Sequence, residues 1–260
     1  MAEGNQDAAF DADLERRFGG LRRLHGVRAY DRLRRARVLV VGVGGVGSWT
    51  VEALARSGVA SLTLIDLDHV AESNVNRQIQ ALESTLGQAK VLALKDRIAQ
   101  IHPGCVVDCI EEFVDEDNVA ALLKPDAFDV VVDCCDQVKA KAALIAWAWA
   151  HGKPVISAGA AGGKCLPHGV EVADLSEVTH DPLLASVRQR LRQRHGGARK
   201  GKMKVMCVFS REAVKPPQDA CDVDATGDGS LNCHGYGSSV TVTATFGMVA
   251  AAQAVQCVIA

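Results

Sequence analysis

Arg37-Val38-Leu39-Val40-Val41-Gly42-Val43-Gly44-Gly45-Val46-Gly47-Ser48-Trp49-Thr50-Val51-Glu52-Ala53-Leu54-Ala55-Arg56-Ser57-Gly58 is the stretch on which the fold turns. Val38 to Val41 is apolar without alternation, as a strand buried on both faces requires. Ser48 to Ser57 reads as a helix stopped by Gly58. A second apolar run, Leu62-Thr63-Leu64-Ile65, ends on Asp66, 19 residues after Gly47. Strand, glycine turn, helix, strand and acid in this order form the dinucleotide-binding fingerprint. Gly42, Gly44, Gly45 and Gly47 let the backbone turn tightly and approach phosphate. The start of the helix offers N–H groups and a positive dipole end to that phosphate. Asp66 stands where an acid accepts hydrogen bonds from ribose hydroxyls. A glycine-rich turn without a ligand would share the glycines but has no need of the flanking elements. The motif by itself leaves NAD, FAD and ATP open.

Composition sets the bounds. With 260 residues, 48% of them hydrophobic, the chain can build one large α/β domain or one domain plus a lobe. The net charge of −2 predicts no nucleic-acid partner globally, so any such site must be local. There are nine cysteines, and the first fifteen residues are polar and acidic, without a basic-then-apolar leader. A cytoplasmic, reducing setting with free thiols is therefore expected. No Cys-x-x-Cys pair occurs, which argues against a four-cysteine zinc site. Val240 to Ala260 carries no charge and is long enough to span a bilayer. It is rich in Thr, Ala, Gly and Gln and lacks basic flanks, so it reads as a buried helix closing the domain, with no membrane contact expected.

In chain order, residues 1–13 read as a disordered tail. An arginine-dense helical segment follows from Leu14 to Gly26, either a solvated surface or an arm that delivers an arginine to phosphate. Val27 to Ala36 leads into the first strand. Beyond Asp66, the segment from Asp68 to Gln78 is too polar for a core element. Lys90 opens a helix to about Gln100. Val106 to Ile110, Phe128 to Asp133 and Pro154 to Ser157 are further strands, with an apolar helix from Ala140 to Ala150. Alternating strands and helices argue for a Rossmann-like, doubly wound, mostly parallel sheet over residues 14–160, followed by a smaller C-terminal lobe over 161–260. Gly42, Asp66 and Asp136 all fall at the C-terminal ends of strands, where such sheets bind ligands.

The second half holds a further glycine turn, Gly159 to Gly163, fit either for chain reversal or for a ligand. The stretch from Arg188 to Lys204 has eight Lys or Arg and no acid. It reads either as a solvated loop or as a patch for the phosphate backbone of a nucleic acid, and its local charge favours the second. Lys204 to Ser210 is a strand. Lys215 to Ser239 is a long Pro-, Asp-, Gly- and Ser-rich loop containing Cys221 and Cys233.

The polar segment decides between nucleotides. Asp68, Asn74, Asn76, Arg77, Gln78 and Lys90 supply amides and cations enough to hold a triphosphate rather than a nicotinamide. Asp136 suits Mg²⁺, which takes one or two carboxylates plus phosphate oxygens. This equipment fits formation of an acyl-adenylate: a carboxylate attacks the α-phosphate of ATP and pyrophosphate leaves.

Asp66-x-Asp68, Ser73-Asn74-x-Asn76-Arg77-Gln78, Gly87-x-x-Lys90 and Asp133-x-x-Asp136 resemble the ubiquitin-activating superfamily that includes the bacterial ThiF, MoeB and HesA proteins. A narrower resemblance, to the tRNA threonylcarbamoyladenosine dehydratases, rests on Arg17-Phe18-Gly19-Gly20, Gly44-Gly45-Val46-Gly47-Ser48-Trp49, Lys141-Ala142-Ala143-Leu144-Ile145-Ala146, Gly159-x-Ala161-Gly162-Gly163, Cys207-Val208-Phe209-Ser210 and Val242-Thr243-Ala244-Thr245-Phe246-Gly247. It implies a ligase-class enzyme that uses ATP to cyclise the modified adenosine beside the tRNA anticodon. It also implies Mg²⁺, admits an alkali-metal ion, and points to a homodimer. By the same resemblance Asp66 holds ribose, Asn74, Arg77 and Lys90 contact phosphates, and Asp136 binds Mg²⁺. Arg17 matches the superfamily's N-terminal arginine, which commonly crosses to the partner subunit. The next such arginine falls on Gly20, leaving Arg22 or Arg23 for its role. Cys233 resembles a loop cysteine that would serve a sulfur-relay protein. The alternative is an adenylating enzyme for a sulfur-carrier or ubiquitin-like protein C-terminus; the basic stretch and the missing zinc cysteines favour tRNA. A non-enzymatic sulfur-relay protein and an NAD enzyme are further readings.

Overall fold

The computed structural model describes residues 4–215 and 236–260, with side chains from Leu14 onward. Cys221 and Cys233 lie outside the described residues. Seven strands form one sheet: β1 (Arg37–Val41), β2 (Ser61–Ile65), β3 (Val106–Ile110), β4 (Val130–Asp133), β5 (Val155–Ala158), β6 (Val170–Asp174) and β7 (Met206–Ser210). Their order is β3-β2-β1-β4-β5-β7-β6. All neighbours run parallel except β6, which is antiparallel to β7. The C-terminal part thus extends the same sheet.

The helices are α1 (Gly4–His25), α2 (Val27–Leu33), α3 (Gly47–Arg56), α4 (Lys90–Ile101), α5 (Val119–Leu122), α6 (Val138–Ala150), α7 (Pro182–Arg194) and α8 (Val240–Ile259). β1 shows why its sequence does not alternate. Val38 and Val40 face a core shared with Val51 and Leu54 of α3, Leu94 of α4 and Phe246 of α8. Leu39 and Val41 face a second core with Leu144 of α6 and Leu184 of α7. Both sides are dry, so the four residues from Val38 to Val41 are all apolar. α8, long and apolar enough by length and composition to cross a membrane, lies along α3 with Val242, Phe246, Ala250 and Ala254 fully buried. The Thr50 hydroxyl donates to the Gly247 carbonyl at 3.2 Å, joining the two helices.

Two expectations need correction. Composition predicts a disordered tail through residue 13, but α1 begins at Gly4. The density of arginine predicts a loop from Arg188, but α7 continues to Arg194. Leu184, Val187 and Leu191 repeat at helical spacing and are fully buried, and this apolar stripe outweighs the repulsion between arginines on the other face.

α1 and α2 are tied to the sheet around His102, which is 1% exposed. The Phe18 ring lies 4.8 Å from it. Arg34 Nη1 is 3.1 Å from His102 Nε2. Since guanidinium only donates, this nitrogen accepts and the ring is neutral. Burial, then the charges of Arg34 and Arg17, push its pKa down to about 4 from 6.5. The unfolded chain therefore binds a proton that the folded chain refuses between these values. The stabilisation is complete above pH 6.5 and is lost as pH falls toward 4, by about 3 kcal/mol in all. Thermal melts of the wild type should show this slope, and His102→Gln should flatten it; parallel curves would refute the assignment.

Candidate functional site

The register sets the site. Val41 pairs with Ile65 on one side and with Asp133 on the other. Gly42, Asp66 and Cys134 therefore leave three adjacent strands at the same level. Beyond the strands, Gly42 N–H donates to the Ile65 carbonyl (2.9 Å) and Cys134 N–H to the Val41 carbonyl (2.8 Å). The sheet order reverses between β1 and β4, and a crevice opens there.

Gly42 has φ +79°, and a Cβ on it would lie 2.9 Å from the Cys134 carbonyl. One on Gly47 would collide with the Gly42 carbonyl. Only glycine satisfies both positions. α3 then starts at Gly47 without a side-chain cap, its N-terminus directed at the crevice. Asp66 braces the turn: Oδ2 accepts from Val43 N–H (2.7 Å) and Oδ1 from Asp68 N–H (2.9 Å). Burial pushes its carboxyl above the usual range, opposed by the nearby Lys90 ammonium. Each oxygen retains acceptor capacity for a further hydroxyl.

The polar segment folds back over this turn. Lys90, buried at the start of α4, pairs with Asp68 at 2.6 Å. Arg77 donates to the Ser73 carbonyl (2.6 Å) and to Asn76 Oδ1 (2.9 Å). Burial pulls its pKa below the ordinary value. Asn76 Nδ2 donates to the Ser238 carbonyl (3.0 Å), and buried Asn74 accepts from Ala71 N–H (3.1 Å). Supports invisible in the sequence hold this segment in place. Trp49 Nε1 donates to the Arg77 carbonyl (3.0 Å), and Gln80 Nε2 reaches both the Val43 carbonyl and Gln78 Oε1.

A cavity of about 370 Å³ results. Gly42, Gly44, Gly45, Asp66, Asp68, Arg77, Gln78, Lys90 and Asp136 line it. Asn74 and Asn76 line an adjoining polar hollow with Arg77 and Lys90. A smaller pocket of about 90 Å³ continues past Asp66 and Asp136 to Phe113 and Val114, which the sequence did not single out. Gly47 lies behind the turn rather than in the lining. The opposite wall is the second glycine turn, with Ala160, Ala161 and Gly162 beside Pro182 and Leu183. Asp181 joins these two elements, accepting from Ala160 N–H and, as the α7 cap, from Leu184 N–H, each at 2.9 Å. The second turn thus both reverses the chain and faces the cavity.

Other expected residues lie elsewhere. Arg17 is outside the cavity of its own chain: Nη1 donates to the Ile101 carbonyl at 2.8 Å, at the C-terminal end of α4, beside a separate groove. Of the cations from Arg188 to Lys204, Arg188 is bound to the Leu175 and Val178 carbonyls, Arg190 to Glu116, and Arg192 to the Ala198 carbonyl. Arg194, Arg199, Lys200, Lys202 and Lys204 are exposed. α7 runs about 18 Å from the cavity wall at Pro182 to Arg194, the first of these charges. Cys134 and Cys135 adjoin the cavity, but burial pushes the Cys134 thiol up to about 12 and Cys135 well above its ordinary value, so neither is a nucleophile at neutral pH. Among the described residues no group of three or more His, Cys, Asp or Glu side chains is placed to hold a metal ion.

Comparison with known proteins agrees with this geometry. The ThiF family model matches residues 16–260. The tRNA threonylcarbamoyladenosine dehydratase of Escherichia coli is 44% identical over 248 residues, covering 92% of each chain. That of Haemophilus influenzae is 41% identical over 248 residues, covering 94% of this chain and 93% of its own. The crystal structure of the Escherichia coli enzyme, TcdA, in complex with ATP superposes with a TM-score of 0.83 at 41% identity, covering 94% of both chains. The fold is thus shared along nearly the whole length, and the chain belongs to the ThiF family, within the branch of tRNA threonylcarbamoyladenosine dehydratases.

Proposed function

We propose that this chain binds ATP in the cavity and uses it to dehydrate threonylcarbamoyladenosine in tRNA to its cyclic form. The observation that carries the reading is the convergence of Asp66, Arg77, Lys90 and Asp136 on one cavity over the β1–α3 turn. A dehydrogenase has no use for a buried lysine and a half-buried arginine facing the Asp136 carboxylate there. The ribose hydroxyls meet Asp66, and the phosphates meet the start of α3, Arg77 and Lys90. Lys90 is held toward the cavity by Asp68 until phosphate replaces that carboxylate. The threonyl carboxylate attacks the α-phosphorus, and the bond to pyrophosphate breaks. Charge developing on the phosphates is offset by Arg77 and Lys90. A nucleophile within the modification then attacks the activated carbonyl carbon and expels AMP, which carries away the carboxylate oxygen. The substrate loses one water overall, and no thiol enters. The wall of Ala160, Ala161, Gly162 and Leu183 is small and apolar enough to receive the base.

Asp136, which with Asp66 and Asp68 lines both pockets, would hold Mg²⁺ through its carboxylate, as an ion that takes one or two carboxylates beside phosphate oxygens allows. When bound there, the ion neutralises phosphate charge. The exposed cations beyond Arg192 lie at and past the end of α7 remote from the cavity wall and suit tRNA phosphates away from the reacting group. Arg17, Arg22 or Arg23 would reach phosphate only in a partner's cavity, and a homodimer follows from that requirement. Cys233 is read as a docking point for a sulfur-relay protein, outside the chemistry. A cytoplasmic location follows from the tRNA substrate.

The test is pyrophosphate release with and without tRNA carrying the linear modification, with mass spectrometry for loss of one water. Release that ignores tRNA but answers to a small carrier protein would shift the reading to carrier adenylation. Lys90→Ala and Asp136→Ala should each reduce release about 100-fold or more with the melt unchanged; wild-type rates would overturn the site. Cys233→Ser should still cyclise. Neutralising Arg194, Arg199, Lys200, Lys202 and Lys204 should flatten the dependence of log tRNA affinity on log salt by about 0.7–0.9 for each phosphate no longer neutralised. An unchanged slope would remove tRNA from this patch.

A further inference from the structure

Beneath the cavity lies a polar cluster with no exposure to solvent. Asp133 ends β4, Ser157 sits opposite it on β5, and Lys141 comes from the first turn of α6. All three side chains are fully buried. Lys141 Nζ donates to Asp133 Oδ2 (2.8 Å) and to Ser157 Oγ (3.2 Å). The Ser157 hydroxyl donates to the same Asp133 oxygen (2.6 Å). The other carboxylate oxygen, Oδ1, accepts from Cys135 N–H at 3.1 Å. A buried ion pair is weak evidence for stability, because apolar side chains of the same volume usually serve a core as well. What distinguishes this cluster is where its strands lead. β4 runs through Cys134 and Cys135 to Asp136. β5 runs through Ala158 into the Ala160–Gly162 wall.

We propose that Lys141, acting through Asp133 and Ser157, is a positioning residue that fixes the turn presenting Asp136 and holds it in register with the opposite wall of the cavity. The inference rests on the reading of Asp136 as the Mg²⁺ carboxylate. Asp133 Oδ1 sets the Cys135 amide, and Asp136 is the next residue. Lys141 anchors Asp133 from the helix side, and Ser157 ties it to β5. Nothing in the cluster touches the cavity, so its loss should leave the contacts of metal-free nucleotide intact and alter only what Asp136 does.

The experiment is calorimetric binding of ATP to the full chain, with and without Mg²⁺. The variants are Ser157→Ala, which removes one hydroxyl from the core, and Asp133→Asn with Lys141→Met, which leaves no unpaired buried charge. Circular dichroism checks that each is folded. Metal-free ATP affinity should stay within about twofold of wild type, while the enhancement by Mg²⁺ falls about tenfold in the double variant, the low end expected for removing a support of a metal ligand, and about threefold in Ser157→Ala, which keeps the Lys141–Asp133 pair. A general loss of packing would instead weaken both affinities together and overturn the proposal. So would a wild-type Mg²⁺ enhancement in folded Ser157→Ala, whether or not the double variant folds. A wild-type protein with no Mg²⁺ enhancement would overturn the reading of Asp136 itself, which separates the two failures.

Discussion

The close approach of Gly42 to the Cys134 backbone is the constraint on which the site depends. Two adjacent parallel strands end at the same level, and their exits must pass within van der Waals distance of each other. That is feasible only when one exit has no side chain and a positive φ. Once the turn is this tight, α3 must begin at Gly47, and its N-terminal end faces the crevice without a side-chain cap. Asp66 on the next strand completes the arrangement by accepting from Val43 N–H.

Electrostatics follow from that geometry. The cavity floor is backbone, and the charges stand around its rim: Asp66 and Asp68 on one side, Lys90 and Arg77 above, Asp136 at the end of β4. Lys90 is buried and paired with Asp68, which holds its side chain in place without a bound anion. In the proposed reaction a triphosphate would displace Asp68 and find the lysine already in place, which avoids the reorganisation that a flexible surface lysine would need.

The C-terminal hundred residues serve the same site from three directions. α8 covers α3 and leaves no room for solvent behind the glycine turn. β7 and β6 extend the sheet and place α7 with its capped end at the cavity wall. The far end of α7 carries arginines whose apolar neighbours are buried, so the helix is at once part of the core and the base of a basic surface. Three of its guanidiniums hold the chain's own carbonyls and Glu116, which removes them from any count of groups available to RNA.

Much of this was legible in the residues. The non-alternating strand, the glycine run, the helix and the acid 19 residues on were enough for the sheet, the crevice and Asp66, because these are local patterns with one low-energy geometry. Asp68, Asn74, Arg77 and Lys90 were legible as polar groups able to hold a triphosphate, and Asp136 as an acid at a strand end. The buried Asp133–Lys141–Ser157 cluster was not, since a lysine in an apolar helix gives no sign of which strand it faces. Nor were Trp49 and Gln80 as supports, Phe113 as a pocket wall, or the role of Arg17 at the end of α4, all of which join segments far apart in the chain. Residue order alone was sufficient for the elements and for the chemistry of the groups at their ends. Which of those groups share a cavity was settled in three dimensions, because it depends on strand order and register, and these are set by packing across the whole sheet rather than by any one stretch.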